Sequence, residues 1–375
     1  MSITRLVAED FRNLHSVDFY PGARVNLISG ENGSGKTSLL EVIYTLATGR
    51  SFRTRKFKNL IGYQSASFQL FAELVFEGMR RRLGVARGRD GSTVFKLDGE
   101  PVSSAVELAA LLPCQVMNSR SFELLEGGPA ERRAFIDWLV FHVKPSFRRA
   151  WSEYARCLKH RNVMLRSDKV PLAEFAAWNK TLADLGEEID DYRQQMILEF
   201  VPASRAYLAE CEFVESGNFE MQYLPGWDRS RSLLERLEEH HQRDVVLGYT
   251  NIGPHKSDIR FTFNKKPLVE LFSRGQQKAV VAALYAAQLK IFHSSSARDC
   301  LLLLDDLPAE LDEGNLQRLC RWIQGLSNVQ TFITGIELDS IAKLWPLSVY
   351  DEGFNKMFHV KHGQVQEQPC QWSKS

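Results

Sequence analysis

Apolar and polar positions divide the chain into three textures. Up to about residue 128, short β-type runs alternate with polar turns. From about 129 to 245 the apolar spacing is helical almost throughout, and from 246 strands and helices return. In the first part, Val25-Asn26-Leu27-Ile28 is a short β run that ends at Ser29-Gly30. Beyond a glycine-rich stretch, Leu39, Leu40, Ile43 and Leu46 recur at helical spacing. Residues 67–76 and 82–97 alternate as an antiparallel meander, with Asp90-Gly91 and Asp98-Gly99 as turn signals.

The middle part has the clearest period. Phe147, Trp151, Tyr154, Ala155 and Leu158 predict one amphipathic helix. Phe175, Trp178, Leu182, Leu185, Ile189, Tyr192 and Met196 step alternately by three and four, an a/d seam of about three heptads. Pro171 near its start and Pro202 beyond its end are expected to bound that helix. A helical arm or hairpin is predicted, too short for a long rod. The expected domains are 1–128 and 246–362 forming one head in two parts, 129–245 as a helical lobe, and 363–375 as a flexible tail.

The 375 residues are long enough for two or three structural units. At 44% hydrophobic and 25% charged, they exclude a mainly disordered or fibrous chain. Lys and Arg number 47 against 46 Asp and Glu, so adhesion of the whole molecule to a polyanion is disfavoured and any such site must be a local patch. The longest apolar candidate, 279–289, falls short of a membrane span, and the chain opens without an apolar signal segment. Six cysteines show no CxxC pattern, and nine histidines lack ligand spacing. A reducing, cytoplasmic setting without a zinc site is the expectation.

The chemistry concentrates in two segments. Gly30-Glu31-Asn32-Gly33-Ser34-Gly35-Lys36-Thr37 matches G-x-x-x-x-G-K-[ST] between a predicted strand and helix. Its glycines let backbone N–H groups wrap phosphates, and the helix N-terminus favours negative charge. Lys36, read as an exposed loop lysine, is expected to reach the β- and γ-phosphates of ATP, and Thr37 to ligate Mg²⁺. Far downstream, residues 301–304 are four leucines followed by Asp305-Asp306, as a buried parallel strand ending in carboxylates would read. Asp305 is assigned to the metal and Asp306 to the attacking water, so Lys36 and Asp306 are the catalytic candidates. Between them, Ser273-Arg274-Gly275-Gln276-Gln277-Lys278 opens an apolar helix; Ser273 suits an N-cap, and Gly275 permits close backbone approach.

The order of phosphate loop, S-x-G-Q-Q-K segment, acidic strand and Glu310-Leu311-Asp312 resembles the ABC-type ATPase head. Phe11-Arg12-Asn13, Gly49-Arg50-Ser51-Phe52-Arg53, Gly127-Gly128-Pro129 with Arg132, Arg133 and Asp137, Lys159-His160-Arg161-Asn162 and Gly253-Pro254-His255-Lys256 narrow the likeness to the RecF family. That resemblance implies an α/β fold: a P-loop head with a mixed β-sheet and an inserted, mainly α-helical lobe. It also implies an ATP-dependent homodimer with slow hydrolysis, in which Ser273, Gly275 and Gln276 read the nucleotide of a second subunit. Further implications are sequence-independent binding to gapped, single- and double-stranded DNA, partnership with RecR and RecO, and recombinase loading at gaps and stalled forks in the SOS response.

After residues 329–333, where transporter-like heads place a switch histidine, this chain has Thr334, which favours slow turnover. Gln115 is the candidate for the metal-sensing polar position. Arg50, Arg53, Arg55, Lys56 and Lys58 place five cations in nine residues, interleaved with Phe52 and Phe57; Arg53, Arg55 and Lys56 are the DNA-contact candidates. Arg80-Arg81-Arg82 with Arg87 and Arg89 is a second basic cluster. Competing classes are the ATPase subunit of a membrane transporter, another SMC-like repair ATPase and a small-metabolite P-loop kinase. The long helical insertion and S-R-G-Q-Q-K in place of S-G-G-Q speak against the transporter, and the signature helix against the kinase.

Overall fold

A computed structural model describes residues 1–76, 78–167, 172–211, 213–214, 218–336 and 354–368. The elements run β1 (Ser2–Phe11), β2 (Leu14–Phe19), β3 (Val25–Ser29), α1 (Lys36–Thr48), β4 (Ser67–Phe76), β5 (Met79–Gly88), β6 (Thr93–Leu97), β7 (Glu100–Pro101), α2 (Ala105–Leu111) and β8 (Cys114–Met117). Then follow α3 (Glu123–Glu126), α4 (Pro129–Val143), α5 (Pro145–Met164), α6 (Leu172–Leu208), β9 (Phe219–Leu224), α7 (Leu233–Glu239), α8 (His241–Leu247), β10 (Asp258–Phe263), β11 (Lys266–Pro267), α9 (Leu268–Leu271) and α10 (Arg274–Ser296). The chain closes with β12 (Cys300–Leu304), α11 (Leu307–Glu310), α12 (Glu313–Gln324), β13 (Val329–Gly335), β14 (Asn355–Lys361) and β15 (Gln364–Gln368).

Two compact units result, Met1–Ser121 with Ala297–Ser375, and Phe122–Ser296. The first holds two six-stranded sheets. One is antiparallel in the order β2-β1-β4-β5-β6-β7. The other is mixed, in the order β15-β14-β3-β13-β12-β8, and parallel apart from β15. Strands β12 and β13 are buried along their whole length, because a central parallel strand is covered on both faces. Helix α1 and the inner faces of both sheets share one core that includes Phe11, Leu39, Ile43, Phe68, Leu303 and Phe332. The parallel arrangement matters for function: the C-terminal ends of β3, β12 and β13 emerge at the same edge.

The second unit is built on the α5–α6 pair. Helix α5 buries Phe147, Ala150, Tyr154, Cys157, Arg161 and Met164, while Ala155 is exposed. The inward stripe therefore includes a charged residue that hydrophobic periodicity leaves out. Arg161 and Asp244 are both 0% exposed and form an ion pair. Arg161 Nε donates to Asn179 Oδ1 (2.7 Å), and Nη1 donates to Asp244 Oδ2 and Thr250 Oγ1 (2.7 Å each). Arg193 forms a two-pronged pair with Asp137 (2.7 Å for each prong) and donates to the Pro254 carbonyl (2.6 Å) and Ser257 Oγ (2.9 Å). Buried charges persist when paired and hydrogen-bonded. Both arginines are paired, and Arg161 Nη2 is the one guanidinium nitrogen of the two left without a hydrogen-bond partner among the described residues. Arg161, Asp137 and the Gly253-Pro254-His255-Lys256 turn thus belong to the scaffold of this unit.

Three expectations differ from the structure. Helix α6 runs through Pro202, which sits inside it on an exposed position; Pro171 lies outside the described residues. The helical unit extends to Ser296, because α10 packs along α4 and α6 and carries the S-x-G-Q-Q-K segment with it. The segment from 363 is not loose throughout. Gln364–Gln368 pairs antiparallel with β14 around the left-handed His362 and Gly363, and 369–375 lie outside the described residues. No helix among the described residues is long and apolar enough to cross a membrane.

Candidate nucleotide site

The phosphate loop joins β3 to α1, and its glycines are required by backbone geometry. Gly30 has φ 153°, and a Cβ there would collide with the Val360 carbonyl of β14; Gly35, the residue capping α1, has φ 120°. The loop is also braced from outside. Asn13 Nδ2 donates to the Gly33 carbonyl (3.2 Å), Ser38 Oγ donates to Asn13 Oδ1 (2.7 Å), and the Gly363 N–H donates to the Ser34 carbonyl (2.8 Å). A loop pinned at these points presents its N–H groups without first being ordered.

Lys36 is not the exposed residue expected from sequence. It is 7% exposed, and its Nζ donates to the carbonyls of Gly30 (2.7 Å) and Glu31 (2.9 Å). Burial lowers its pKa, opposed by the nearby Asp306 and Asp305 carboxylates. The reason for its burial is local. As the first residue of α1 it lies under the loop it closes, so its stem is covered while the ammonium meets carbonyl oxygens.

Asp305 and Asp306 follow β12, and the parallel register brings them to the loop. Thr37 Oγ1 donates to Asp305 Oδ1 at 2.9 Å, across 268 residues of sequence. Thr334, at the end of β13, donates to the same Oδ1 at 2.9 Å and accepts the Asp306 N–H at 3.0 Å. Burial raises the Asp305 pKa, and the hydrogen bonds from Thr334 and Thr37 oppose the rise. Asp306 itself is in the left-handed region at φ 54°, at the N-cap position just before α11. The hydroxyl of Thr37 beside a carboxylate is a pair of hard oxygen donors, the donor type that Mg²⁺ prefers.

These groups border a cleft of about 740 Å³ lined by Asn32, Gly33, Gly35, Lys36, Thr37 and Asp306 from the expected set. Arg53 lines it as well, so one of the three DNA-contact candidates faces this cleft, while Arg55 and Lys56 are exposed outside its wall. Arg12, Asn13, Ser38, Lys58, Asn59, Ile61, Tyr63 and Arg89 complete the wall; of these, the sequence marks Arg12 and Asn13 only as a family motif, and Lys58 and Arg89 only as members of basic clusters. They come from separated segments, which the fold alone brings to one wall. Gln115 is buried on β8 and its amide donates to the Val116 carbonyl (3.2 Å).

Ser273, Gly275 and Gln276 lie in the second unit at the start of α10. The Ser273 N–H donates to Gln276 Oε1 (2.9 Å) and the Gln276 N–H to Ser273 Oγ (3.4 Å), a reciprocal cap. Gln277 anchors the preceding turn through the Phe272 carbonyl (2.8 Å). The Cα of Gly275 faces open space, so the end of the helix is bare on that side.

The family model "RecF/RecN/SMC N terminal domain" matches residues 2–353. The chain is 45% identical to the DNA replication and repair protein RecF of Teredinibacter turnerae, over 97% of this chain and 96% of the relative. It is 40% identical to the protein of the same name from Pseudomonas aeruginosa, over 98% of each. Among solved structures, the recombination mediator protein RecF-ATP in the RecFOR pathway superposes with a TM-score of 0.84 at 23% identity, over 98% of both chains. An Smc head bound to the C-terminal winged-helix domain of ScpA gives 0.59 at 14% identity, over 99% of this chain and 98% of that one. The fold is that of the ABC-type ATPase head, and by sequence the chain belongs to the RecF family.

Proposed function

We propose that this chain is a DNA-replication and repair protein that uses ATP as an assembly switch. In that role it binds DNA without regard to sequence, hydrolyses ATP slowly, and promotes recombinase loading at single-strand gaps and stalled forks together with RecO and RecR. The observation that carries the reading is the meeting of Lys36, Thr37, Asp305, Asp306 and Thr334 at the edge where three parallel strands end. Relatives named as DNA replication and repair proteins, and a structural neighbour solved with ATP in a recombination pathway, support it.

The residues divide the work as follows. Backbone N–H groups of residues 30–37 and the Lys36 ammonium bind the β- and γ-phosphates. Thr37 and Asp305 hold Mg²⁺, which when bound neutralises charge on those phosphates. Asp306 orients the attacking water and accepts its proton. Thr334 offers a hydroxyl where transporter-like heads have an imidazole, and it is committed to the acidic pair. Slow turnover is the expected consequence, which suits a switch better than a motor.

The bare, capped start of α10 suits a role in trans: Ser273, Gly275 and Gln276 complete the site of a second copy. ATP then bridges two chains, and mass action couples nucleotide binding to dimerisation. Sedimentation with ATP, with ADP and without nucleotide tests this directly, and dimer in ATP alone is expected. Ser273→Arg should bind ATP as a monomer. Mixed with Lys36→Ala it should regain partial activity, because the mixed dimer keeps one site with an intact loop and an intact signature. One sedimentation coefficient in all three conditions would overturn the switch.

A further inference from the structure

Glu41 lies one turn beyond Thr37 on α1, is 0% exposed, and gathers three partners from outside its helix. Arg12 holds it with two prongs, Nε to Oε2 at 2.9 Å and Nη2 to Oε1 at 2.8 Å. Ser51 Oγ donates to Oε1, and the same Ser51 oxygen accepts the N–H groups of Arg53 (2.9 Å) and Thr54 (3.0 Å). The Arg53 guanidinium stands 4.0 Å from Oε2. Both arginines line the nucleotide cleft, and Arg12 keeps a left-handed backbone (φ 56°) whose N–H donates to the Leu60 carbonyl (2.7 Å).

We infer that Glu41 is a positioning residue: its buried carboxylate fixes Arg12 directly, and Arg53 through Ser51, against the nucleotide cleft. This rests on the nucleotide reading of the cleft. A carboxylate so deep in the core costs desolvation that an apolar residue of similar size would avoid, so stability alone does not account for it. Charge and geometry do. One buried negative charge holds two cations together without cancelling both, leaving a net positive wall for an anionic ligand. The Ser51 oxygen closes a tight turn whose next side chain but one is Arg53. Among the described contacts none engages Arg12 Nη1, so Arg12 retains donors while two of its nitrogens are spent on orientation. The first half of the basic strip is thereby separated from the second: Arg53 serves the nucleotide, whereas Arg55 and Lys56 remain free for another polyanion.

The test is a double-mutant cycle on the full chain, with ATP titrated by calorimetry. Ser51→Ala removes the link to Arg53 without uncovering a charge, and Arg53→Gln removes the cation. Each should weaken ATP binding about tenfold, the scale of one charge-assisted hydrogen bond. If Ser51 acts through Arg53, the double variant should bind no more weakly than Arg53→Gln alone, and Ser51→Thr should restore the affinity. Glu41→Gln, if it folds, should weaken binding more than Ser51→Ala because it frees both arginines. Fully multiplicative losses, or wild-type affinity in Ser51→Ala, would overturn the inference. Lys36→Ala, titrated alongside, separates the two ideas. Equal ATP binding by that variant and the wild type would remove the nucleotide reading itself, whereas its loss together with multiplicative losses would remove only the role of Glu41.

Discussion

Thr334 and Asp305 are 29 residues apart in sequence, and the Thr334 hydroxyl donates to the Asp305 carboxylate at 2.9 Å. The same hydroxyl accepts the N–H of Asp306, so one side chain on β13 orients the acid at the end of β12 and the peptide that follows it. Because these strands are parallel neighbours, with Leu304 opposite Ile333, the contact is a direct result of register. A slip of one residue would turn Thr334 to the other face.

Thr334→Val keeps the shape and removes both hydrogen bonds. Hydrolysis should fall by about tenfold, while ATP affinity stays within about twofold, since the bonds orient the acidic pair and do not hold the phosphates. Thr334→Ser should restore the rate. Steady-state kinetics alongside equilibrium titration will separate the two quantities, and a loss of affinity equal to the loss of rate would contradict the orienting role.

Asp306→Asn should still bind ATP but turn it over at least about a hundredfold more slowly, the usual contribution of a positioned base. The ATP-bound dimer should then accumulate and survive gel filtration. Turnover at the wild-type rate would exclude Asp306 as the group that handles the water.

A pH dependence arises in the second unit. The Tyr154 hydroxyl donates to His255 Nδ1 (2.7 Å), and His255 Nε2 donates to the Thr250 carbonyl (3.0 Å), which requires the neutral ring. Burial pushes its pKa down from 6.5 to about 4, with the Thr250 carbonyl opposing and Lys256 and Arg133 assisting. A depressed folded pKa stabilises the fold fully above pH 6.5, and the contribution is lost as pH falls towards 4. The loss amounts to about 3 kcal/mol. Urea midpoints recorded between pH 7 and pH 4 should fall, and should fall less in His255→Gln.

DNA affinity should drop steeply with salt, because phosphate contacts release counterions. Arg55→Ala with Lys56→Ala should reduce the log–log salt slope by roughly 1–2, at about 0.9 per phosphate contact. Arg53→Gln should leave that slope unchanged and weaken ATP binding instead. A flat salt response would contradict backbone recognition of DNA.

Much of the site was legible because its chemistry is contiguous. Residues 30–37 carry strand, glycines, lysine and helix start within one short segment, and such a segment needs no distant partner to be read. The leucine run into Asp305-Asp306 was legible for the same reason, since a strand buried on both faces must be apolar end to end. Strand β13 is readable from residue 329 to 333, but the burial of its polar Gln330 and Thr331, and of Thr334 beyond them, is not. Gln330, for example, is paired with the backbone of Ile3 and Gly22, more than 300 residues away.

The sequence by itself determined the family, the phosphate loop, the acidic strand, the capped signature helix and the helical insertion, all of which are written in residues close together along the chain. The tertiary structure alone decided which charges are paired and which way they face. Arg161 meets Asp244 across 83 residues, Arg12 meets Glu41 across 29, and Arg53 is aimed by Ser51 into a cleft that its neighbours Arg55 and Lys56 do not line. Hydrophobic periodicity reports which positions avoid water, and a buried ion pair breaks that rule by bringing its own partner. Its burial becomes intelligible only when both partners are in place, because the desolvation of one charge is tolerable only beside the other.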